Sequence, residues 1–182
     1  MCGIAGIYNL NGQPAQAKLL RRMTESMAHR GPDGQGHYYD GPVGLGHRRL
    51  AIIDLSSAGH QPMSNSAGTI TITYNGEIYN YRDLRQELEA LGYRFRSKTD
   101  TEVIILAYQQ WGEECVHRFN GMFALAFWQP NEHRLILARD RFGEKPFYYM
   151  RAGGLLVFAS EIGALVRHGG PPLSVDPEAV EL

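Results

Sequence analysis

The chain has 182 residues, a formal net charge of −1, 43% hydrophobic residues and 20% charged residues. This composition is typical of a globular domain with its own core, and the balanced charge argues against a nucleic-acid-binding surface. No apolar run approaches the ~20 residues that span a bilayer, and the first residues lack the basic segment of a secretory signal. We therefore expect neither nucleic acid nor a membrane as a partner, and a cytoplasmic location.

Cysteine and histidine usage argues against a bound metal. The only cysteines are Cys2 and Cys115, and the seven histidines include no H-x-x-x-H pair. Two thiols cannot supply the ligands of a four-thiolate zinc site, and they make a weak disulfide framework. We therefore expect no metal in this domain.

The first half of the chain has the patterns of alternating strands and helices. A short strand at residues 3–9 precedes apolar residues at helical spacing over 19–27, and residues 31–34 form a turn. Two strand-like segments follow between Tyr38 and Asp54, and the second of them reaches Asp54. Residues 69–74 alternate at period two, which predicts a strand that closes at the following Asn-Gly pair.

The second half predicts two helices, two pairs of strands and a short final helix. A helix over 81–91 is followed by another that begins with the capping pair Thr99 and Glu102 and ends near Gly112. The later elements are strands at 122–128 and 133–138, a hairpin over 147–158 and a short helix from Glu161. Hairpin-paired strands with interposed helices predict an α+β fold with antiparallel sheets.

The end of the chain differs in composition from the rest. Residues 169–172 are Gly-Gly-Pro-Pro, which predicts a linker, and residues 176–179 have the pattern of a helix start. We therefore expect one domain over residues 2–167, with 168–182 as a linker and the start of a further domain.

Cys2 is the residue most suggestive of chemistry, because it directly follows the initiator methionine. Removal of Met1 would leave a thiol and a free α-amine on one residue. The two groups titrate near pH 8.5 and about 7.7–8.0, so the amine can take the thiol proton and later deliver it to a leaving group. The alternative is an inert buried cysteine.

Three further segments would suit a pocket for a zwitterionic amino acid. Of the strand neighbours Arg48 and Arg49, one should face such a pocket, and a guanidinium binds a carboxylate through two parallel hydrogen bonds. Asn75-Gly76 at a sharp turn can supply two donors to an oxyanion, and Glu77 or Asp100 can bind an ammonium group. The structural alternatives are an Asn-Gly hairpin turn for 75–76, and acids of a first helical turn for Glu77 and Asp100.

Six motifs in order resemble the class II glutamine amidotransferases, which are N-terminal-nucleophile hydrolases. They extend from Cys2 to about Arg167, and the stretches around 59–63 and 143–149 resemble most the glutaminase half of glutamine-hydrolysing asparagine synthetases. The six motifs are Cys2–Gly6, His29–Asp33, Gly46–Leu50, Tyr74–Asn80, Asp100–Glu102 and Ala138–Asp140. The resemblance implies a four-layer α/β/β/α sandwich of two antiparallel sheets.

The resemblance also implies a role for individual positions. Cys2 would be the nucleophile, Arg49 would hold the glutamine carboxylate, and Asn75 with Gly76 would stabilise the oxyanion. Glu77 and Asp100 would bind near the ammonium group. The remaining pocket positions that it implies are the backbone groups of Leu50, Ile52 and Ile53.

By the same resemblance, the domain would hydrolyse L-glutamine and supply ammonia to a downstream synthetase domain that makes asparagine from aspartate. No cofactor is expected in this domain, since ATP and Mg would be needed only by the synthetase half, and the protein could form a homodimer. Two alternatives stay open at this point. The same glutaminase could feed a different acceptor, in polysaccharide or peptide amidation, or the domain could bind an amino acid without catalysis.

Overall fold

The structure, a computed structural model, describes residues 1–169. Within that range it contains nine strands and four α-helices, together with three short 3-10 helices. In chain order they are β1 (Gly3–Asn9), α1 (Ala17–Ser26), β2 (Gly34–Asp40), β3 (Val43–Arg49), β4 (Met63–Ser64), β5 (Thr71–Ile78), α2 (Tyr81–Ala90), α3 (Asp100–Trp111), β6 (Gly121–Gln129), β7 (Arg134–Arg139), β8 (Tyr148–Ala152), β9 (Leu155–Ala159) and α4 (Ile162–His168). None of these helices is long and apolar enough to cross a membrane.

The strands form two sheets in which all paired neighbours are antiparallel. One has five strands in the order β2-β3-β1-β9-β8, and the other has four in the order β4-β5-β6-β7. The first strand of the chain is therefore central in its sheet, between β3 and β9. This places β1 inside the fold, where Ile4 and Ala5 are fully buried.

Three apolar clusters separate four layers. Between the sheets, Ile4 and Phe158 of the first sheet pack with Trp128 of the second. Leu20 of α1 and Ala164 of α4 cover the outer face of the first sheet, while Leu88 of α2 and the apolar side of α3 cover the second. The predicted four-layer α/β/β/α sandwich is confirmed.

The start of α3 follows from local sequence, but only half of the expected capping box forms. Thr99 Oγ1 accepts the backbone N–H of Glu102 at 3.2 Å. The Glu102 carboxylate, instead of reaching back to Thr99, accepts the N–H groups of Arg96 and Ser97 and the Ser97 hydroxyl. The acid thus orders the loop before α3.

The second predicted strand of the 38–54 region is shorter than expected. It ends at Arg49, and residues 50–56 form a loop in which Ile52 is 67% exposed. The neighbouring strands give the reason: β1 pairs only as far as Gly3↔Arg48, and β2 only as far as Gly34↔Arg49. Beyond Arg49 no strand remains on either side to continue the ladder.

The predicted turn at Asn75-Gly76 is wrong, because both residues lie inside β5. They pair with Ala124 and Phe123 of β6, and the pairing continues to Ile78. Tertiary pairing therefore overrides the local hairpin signal. Glycine is required at 76 for another reason: a Cβ there would lie 2.2 Å from the Met122 carbonyl oxygen.

The last helix extends slightly further than predicted. It includes His168, which is buried and which we had expected to begin the linker, and Gly169 ends it with φ 73°. The predicted linker and helix start in 170–182 lie outside the described residues.

Candidate active site

A cavity lies where the start of β1, the end of β3, the middle of β5 and the start of α3 meet. Its volume is about 160 Å³, which is below the range of about 300–1,000 Å³ that drug-sized ligands occupy and therefore suits a small occupant. All nine predicted site residues line it: Cys2, Arg49, Leu50, Ile52, Ile53, Asn75, Gly76, Glu77 and Asp100.

The Cys2 thiol contacts the loop that follows β3. The backbone N–H of Leu50 donates to Cys2 Sγ at 3.3 Å, and Sγ lies 3.6 Å from the Leu50 carbonyl oxygen. Burial raises the pKa of the Cys2 thiol, against the opposing effects of the Leu50 N–H, the chain's amino group and Arg49. The thiol is consequently protonated at neutral pH, and a base must remove its proton before it can attack.

The backbone of Cys2 is held from the other side by Arg30. Arg30 Nε donates to the Cys2 carbonyl oxygen at 2.9 Å, and the guanidinium also contacts Glu161 at 3.2 Å. His29 lies 2.8 Å from the same carboxylate. A cluster that joins the turn before β2 to Glu161, directly before α4, thus fixes the peptide that carries the thiol.

Arg49 is the arginine of the pair that faces the cavity. It is buried, whereas Arg48 donates to Gln35 on the surface side. The Arg49 guanidinium donates to the carbonyl oxygen of Ser56 at 2.9 Å and to that of Asp54. The loop therefore wraps around a cation whose remaining N–H groups are available to a carboxylate.

The Asp54 carboxylate closes this loop and ties it to the segment before α3. It accepts the Ser56 hydroxyl at 2.6 Å, the Ser56 N–H at 2.9 Å and the Lys98 N–H at 3.1 Å. These bonds, led by the Ser56 hydroxyl, lower the pKa of Asp54. The cationic side of the cavity is thereby joined to the side that carries Asp100.

Asn75 presents an unused hydrogen-bond donor. The residue is 1% exposed, and its Nδ2 has no hydrogen-bond partner within residues 1–169. Buried amide groups are almost always paired, because an unpaired one costs about 1–3 kcal/mol. A donor held in this way at the edge of a cavity suits a ligand that brings negative charge.

Asp100 lies opposite, at the first position of α3. Its Oδ2 accepts the Tyr74 hydroxyl at 2.8 Å and the Ile78 N–H at 3.1 Å. Burial is the main cause that raises its pKa, although both hydrogen bonds act against it. Glu77 lines the same cavity from β5, and its charge is a further cause that raises the pKa of Asp100, so the two carboxylates lie near one another.

Sequence reasoning missed several residues of this cavity, most clearly His47, Gln61, Tyr74 and Lys145. His47 and Gln61 are buried polar residues that bind the backbone of Tyr74. No short-range sequence pattern predicts such contacts, because they join positions that are 13 or 27 residues apart. Among the described residues, no group of three or more His, Cys, Asp or Glu side chains could hold a metal ion.

A cysteine at the start of a central strand, in two stacked antiparallel sheets between helices, defines the fold of the N-terminal-nucleophile amidotransferases. The chain belongs to the glutamine amidotransferase domain family, whose model matches residues 1–182. It is 44% identical to asparagine synthetase [glutamine-hydrolyzing] 1 of Bacillus subtilis, over 100% of this chain and 29% of that protein.

Two other similarities bear on fold and function. Amidase chry2 of Gibberella zeae is 36% identical over 94% of this chain and 27% of its own length. The solved structure of glutamine phosphoribosylpyrophosphate amidotransferase from B. subtilis superposes with a TM-score of 0.79 at 24% identity, over 92% of this chain and 44% of that one. This chain thus spans less than a third of the length of both curated relatives.

Proposed function

We propose that this domain hydrolyses L-glutamine to L-glutamate and ammonia through a thioester on Cys2. The observation that carries the proposal is the unpaired Nδ2 of Asn75, which is buried at the cavity that contains the Cys2 thiol. Arg49 on one side and Asp100 with Glu77 on the other match the α-carboxylate and α-ammonium of a free amino acid. The side-chain amide of glutamine, separated from these two charges by two methylene groups, can then extend to the thiol, which lines the same cavity.

The reaction requires a base, because burial raises the pKa of the Cys2 thiol. With Met1 removed, the α-amine of Cys2 takes the thiol proton as sulfur bonds to the amide carbon. Negative charge develops on the amide oxygen, where Asn75 Nδ2 and the Gly76 N–H can stabilise it. The C–N bond then breaks, and ammonia leaves with the proton that the amine had taken.

Water completes the cycle by attacking the γ-glutamyl thioester. The α-amine accepts a proton from this water and passes it to the sulfur as the C–S bond breaks. Glutamate is released and the Cys2 thiol is regenerated. Every step is proton transfer and acyl transfer, so the residues of this domain supply all the groups that it needs. ATP and Mg are expected only where the ammonia is used.

We further propose that the ammonia passes to a downstream ATP-dependent synthetase domain, which amidates aspartate. Support comes from the asparagine synthetase relative, which is over three times as long as the matched region. The alternative is that the ammonia passes to a different acceptor, and the one observation in favour of this alternative is the similarity to a protein named amidase chry2. Aspartate-dependent consumption of ammonia by the full-length protein separates the two. The cytoplasmic location and a homodimer remain predictions.

The test uses 6-diazo-5-oxo-L-norleucine, a glutamine analogue that alkylates a catalytic thiol. Mass spectrometry should find one adduct, on Cys2, together with glutaminase turnover by the untreated protein. Cys2→Ala should abolish both, whereas the matched control Cys115→Ala should retain both, because Cys115 is a core residue. Turnover by the Cys2→Ala protein would refute the mechanism, and a wild-type protein that binds glutamine without turnover would be an amino-acid-binding domain.

A further inference from the structure

One edge of β5 lacks a strand neighbour along most of its length. Strand β4 pairs only with Thr71 and Ile72, whereas β6 accompanies the opposite edge through Ile78. In an antiparallel ladder, the N–H and C=O groups of one residue point to the same edge, and successive residues alternate between edges. Ile72 faces β4, so Tyr74, Gly76 and Ile78 direct their backbone groups to the same, open edge.

Two buried side chains occupy the place of the missing strand at Tyr74. Gln61 Oε1 accepts the Tyr74 N–H at 2.7 Å, and His47 Nε2 lies 3.1 Å from the Tyr74 carbonyl oxygen. A carbonyl oxygen can only accept, so Nε2 of His47 carries the proton and donates. Burial lowers the pKa of His47 to about 3, so the ring is neutral at neutral pH and keeps that tautomer.

The backbone groups at the other open positions of this edge, Gly76 and Ile78, have different surroundings. The Ile78 N–H is bound by Asp100 Oδ2 at 3.1 Å. Gln61 also reaches α3, since its Nε2 donates to Thr101 Oγ1 at 3.2 Å, one residue after Asp100. The Gly76 N–H lies between two such occupied positions and faces the cavity.

We propose that Gln61 and His47 are positioning residues that replace a neighbouring strand at Tyr74, and thereby aim the Asn75 amide and the Gly76 N–H at the reacting oxygen. The inference rests on the proposed function. Both residues bind the backbone of Tyr74, directly before Asn75, His47 from β3 and Gln61 from the loop before β4. Without them, the edge of β5 would be free to twist, and donors displaced by about 1 Å can lose about 100-fold in rate.

Three variants test this inference in the full-length protein. Gln61→Met keeps the length of the side chain but removes the acceptor for the Tyr74 N–H. His47→Leu removes the donor to the Tyr74 carbonyl, whereas His47→Gln can retain an N–H near the position of Nε2. We expect Gln61→Met and His47→Leu to lower kcat for glutamine hydrolysis about 10- to 100-fold, with His47→Gln clearly closer to wild type.

A comparison of the change in kcat with the change in glutamine affinity distinguishes a positioning role from a general distortion of the site. Under the proposed function Arg49 and Asp100 bind the α-carboxylate and the α-ammonium of the substrate. KM, and the Kd for glutamine measured in a Cys2→Ala background, should therefore change less than about threefold. An unchanged kcat in Gln61→Met, equal losses in His47→Gln and His47→Leu, or matched losses of kcat and affinity would each overturn the inference.

Folding and the proposed function have separate readouts. Near-UV circular dichroism reports whether each variant is folded, and if one of the two positions does not tolerate substitution, the other decides. Failure of the proposed function would instead appear as a wild-type protein without turnover or as an active Cys2→Ala protein. An active wild type with unaffected Gln61→Met and His47→Leu variants would refute the positioning role alone.

Discussion

The backbone N–H of Leu50 lies 3.3 Å from Cys2 Sγ, so the loop after β3 contacts the proposed nucleophile directly. The same loop is wrapped around the Arg49 guanidinium through the carbonyl oxygens of Asp54 and Ser56. The thiol and the carboxylate-binding cation are therefore parts of one assembly. Any displacement of this loop changes the thiol's hydrogen bonds and the shape of the carboxylate site together.

Alkylation should report the raised pKa of the Cys2 thiol. Only the thiolate reacts with iodoacetamide, so in the chain that still carries Met1 the rate at Cys2 should rise with pH at a midpoint above that of a free cysteine. Cys115, whose pKa burial raises to about 12, should stay unmodified until the protein unfolds. Peptide mapping after timed alkylation measures both rates, with urea-unfolded protein as the reference. A Cys2 midpoint below that of the unfolded reference would contradict the burial argument.

Replacing Asn75 should impair the chemical step more than binding. Loss of one oxyanion donor typically lowers kcat about 10²–10³-fold, and we expect Asn75→Ala to fall in that range with little change in KM. Stability should not decrease through a lost hydrogen bond, because Nδ2 has no partner among residues 1–169. Asn131→Ala, at an exposed turn, is the control. Steady-state glutaminase kinetics decide, and a rise in KM alone would instead make Asn75 a binding residue.

Arg49 should act mainly on affinity for glutamine. Arg49→Lys keeps the charge but loses the planar fork that can bind two loop carbonyls and a carboxylate together, so we expect KM to rise at least about 10-fold, which corresponds to about 1.4 kcal/mol. Arg48→Ala, on the same strand but directed to Gln35, should leave KM unchanged. A normal KM in Arg49→Lys together with a raised KM in Arg48→Ala would show that charge near β3, rather than contact between Arg49 and the substrate, is what matters.

The sequence anticipated the elements that local patterns encode. The period-two run before Tyr74 predicted β5, and the cap at Thr99 predicted the start of α3. The turn at Asn75-Gly76 was mispredicted, because β6, almost 50 residues further along the chain, holds that segment extended. For the same reason Gln61 escaped detection: its role follows from an open strand edge, which becomes visible only when both sheets are assembled.

Asp100→Asn should separate stability from function. Burial raises the pKa of Asp100, so the folded chain retains this proton more strongly than the unfolded chain. Its contribution to stability therefore falls as pH rises from the ordinary Asp value, about 3.9, through the raised folded value. Above the raised folded value the whole penalty is present, and a neutral Asn avoids it while its Oδ1 can still accept the Tyr74 hydroxyl and the Ile78 N–H.

Asp100→Asn should accordingly unfold at a higher urea concentration than wild type at pH 7, and the difference should shrink towards zero as the pH falls below about 3.9, where Asp100 is increasingly protonated in both the folded and the unfolded chain. Glutamine binding should weaken at least about 10-fold, because a charged partner of the α-ammonium is lost, typically worth about 1.5–3 kcal/mol. Urea titrations at neutral and acidic pH and calorimetry with glutamine measure the two effects. Stabilisation with normal affinity would leave Glu77 as the ammonium ligand, because its carboxylate lines the same side of the cavity.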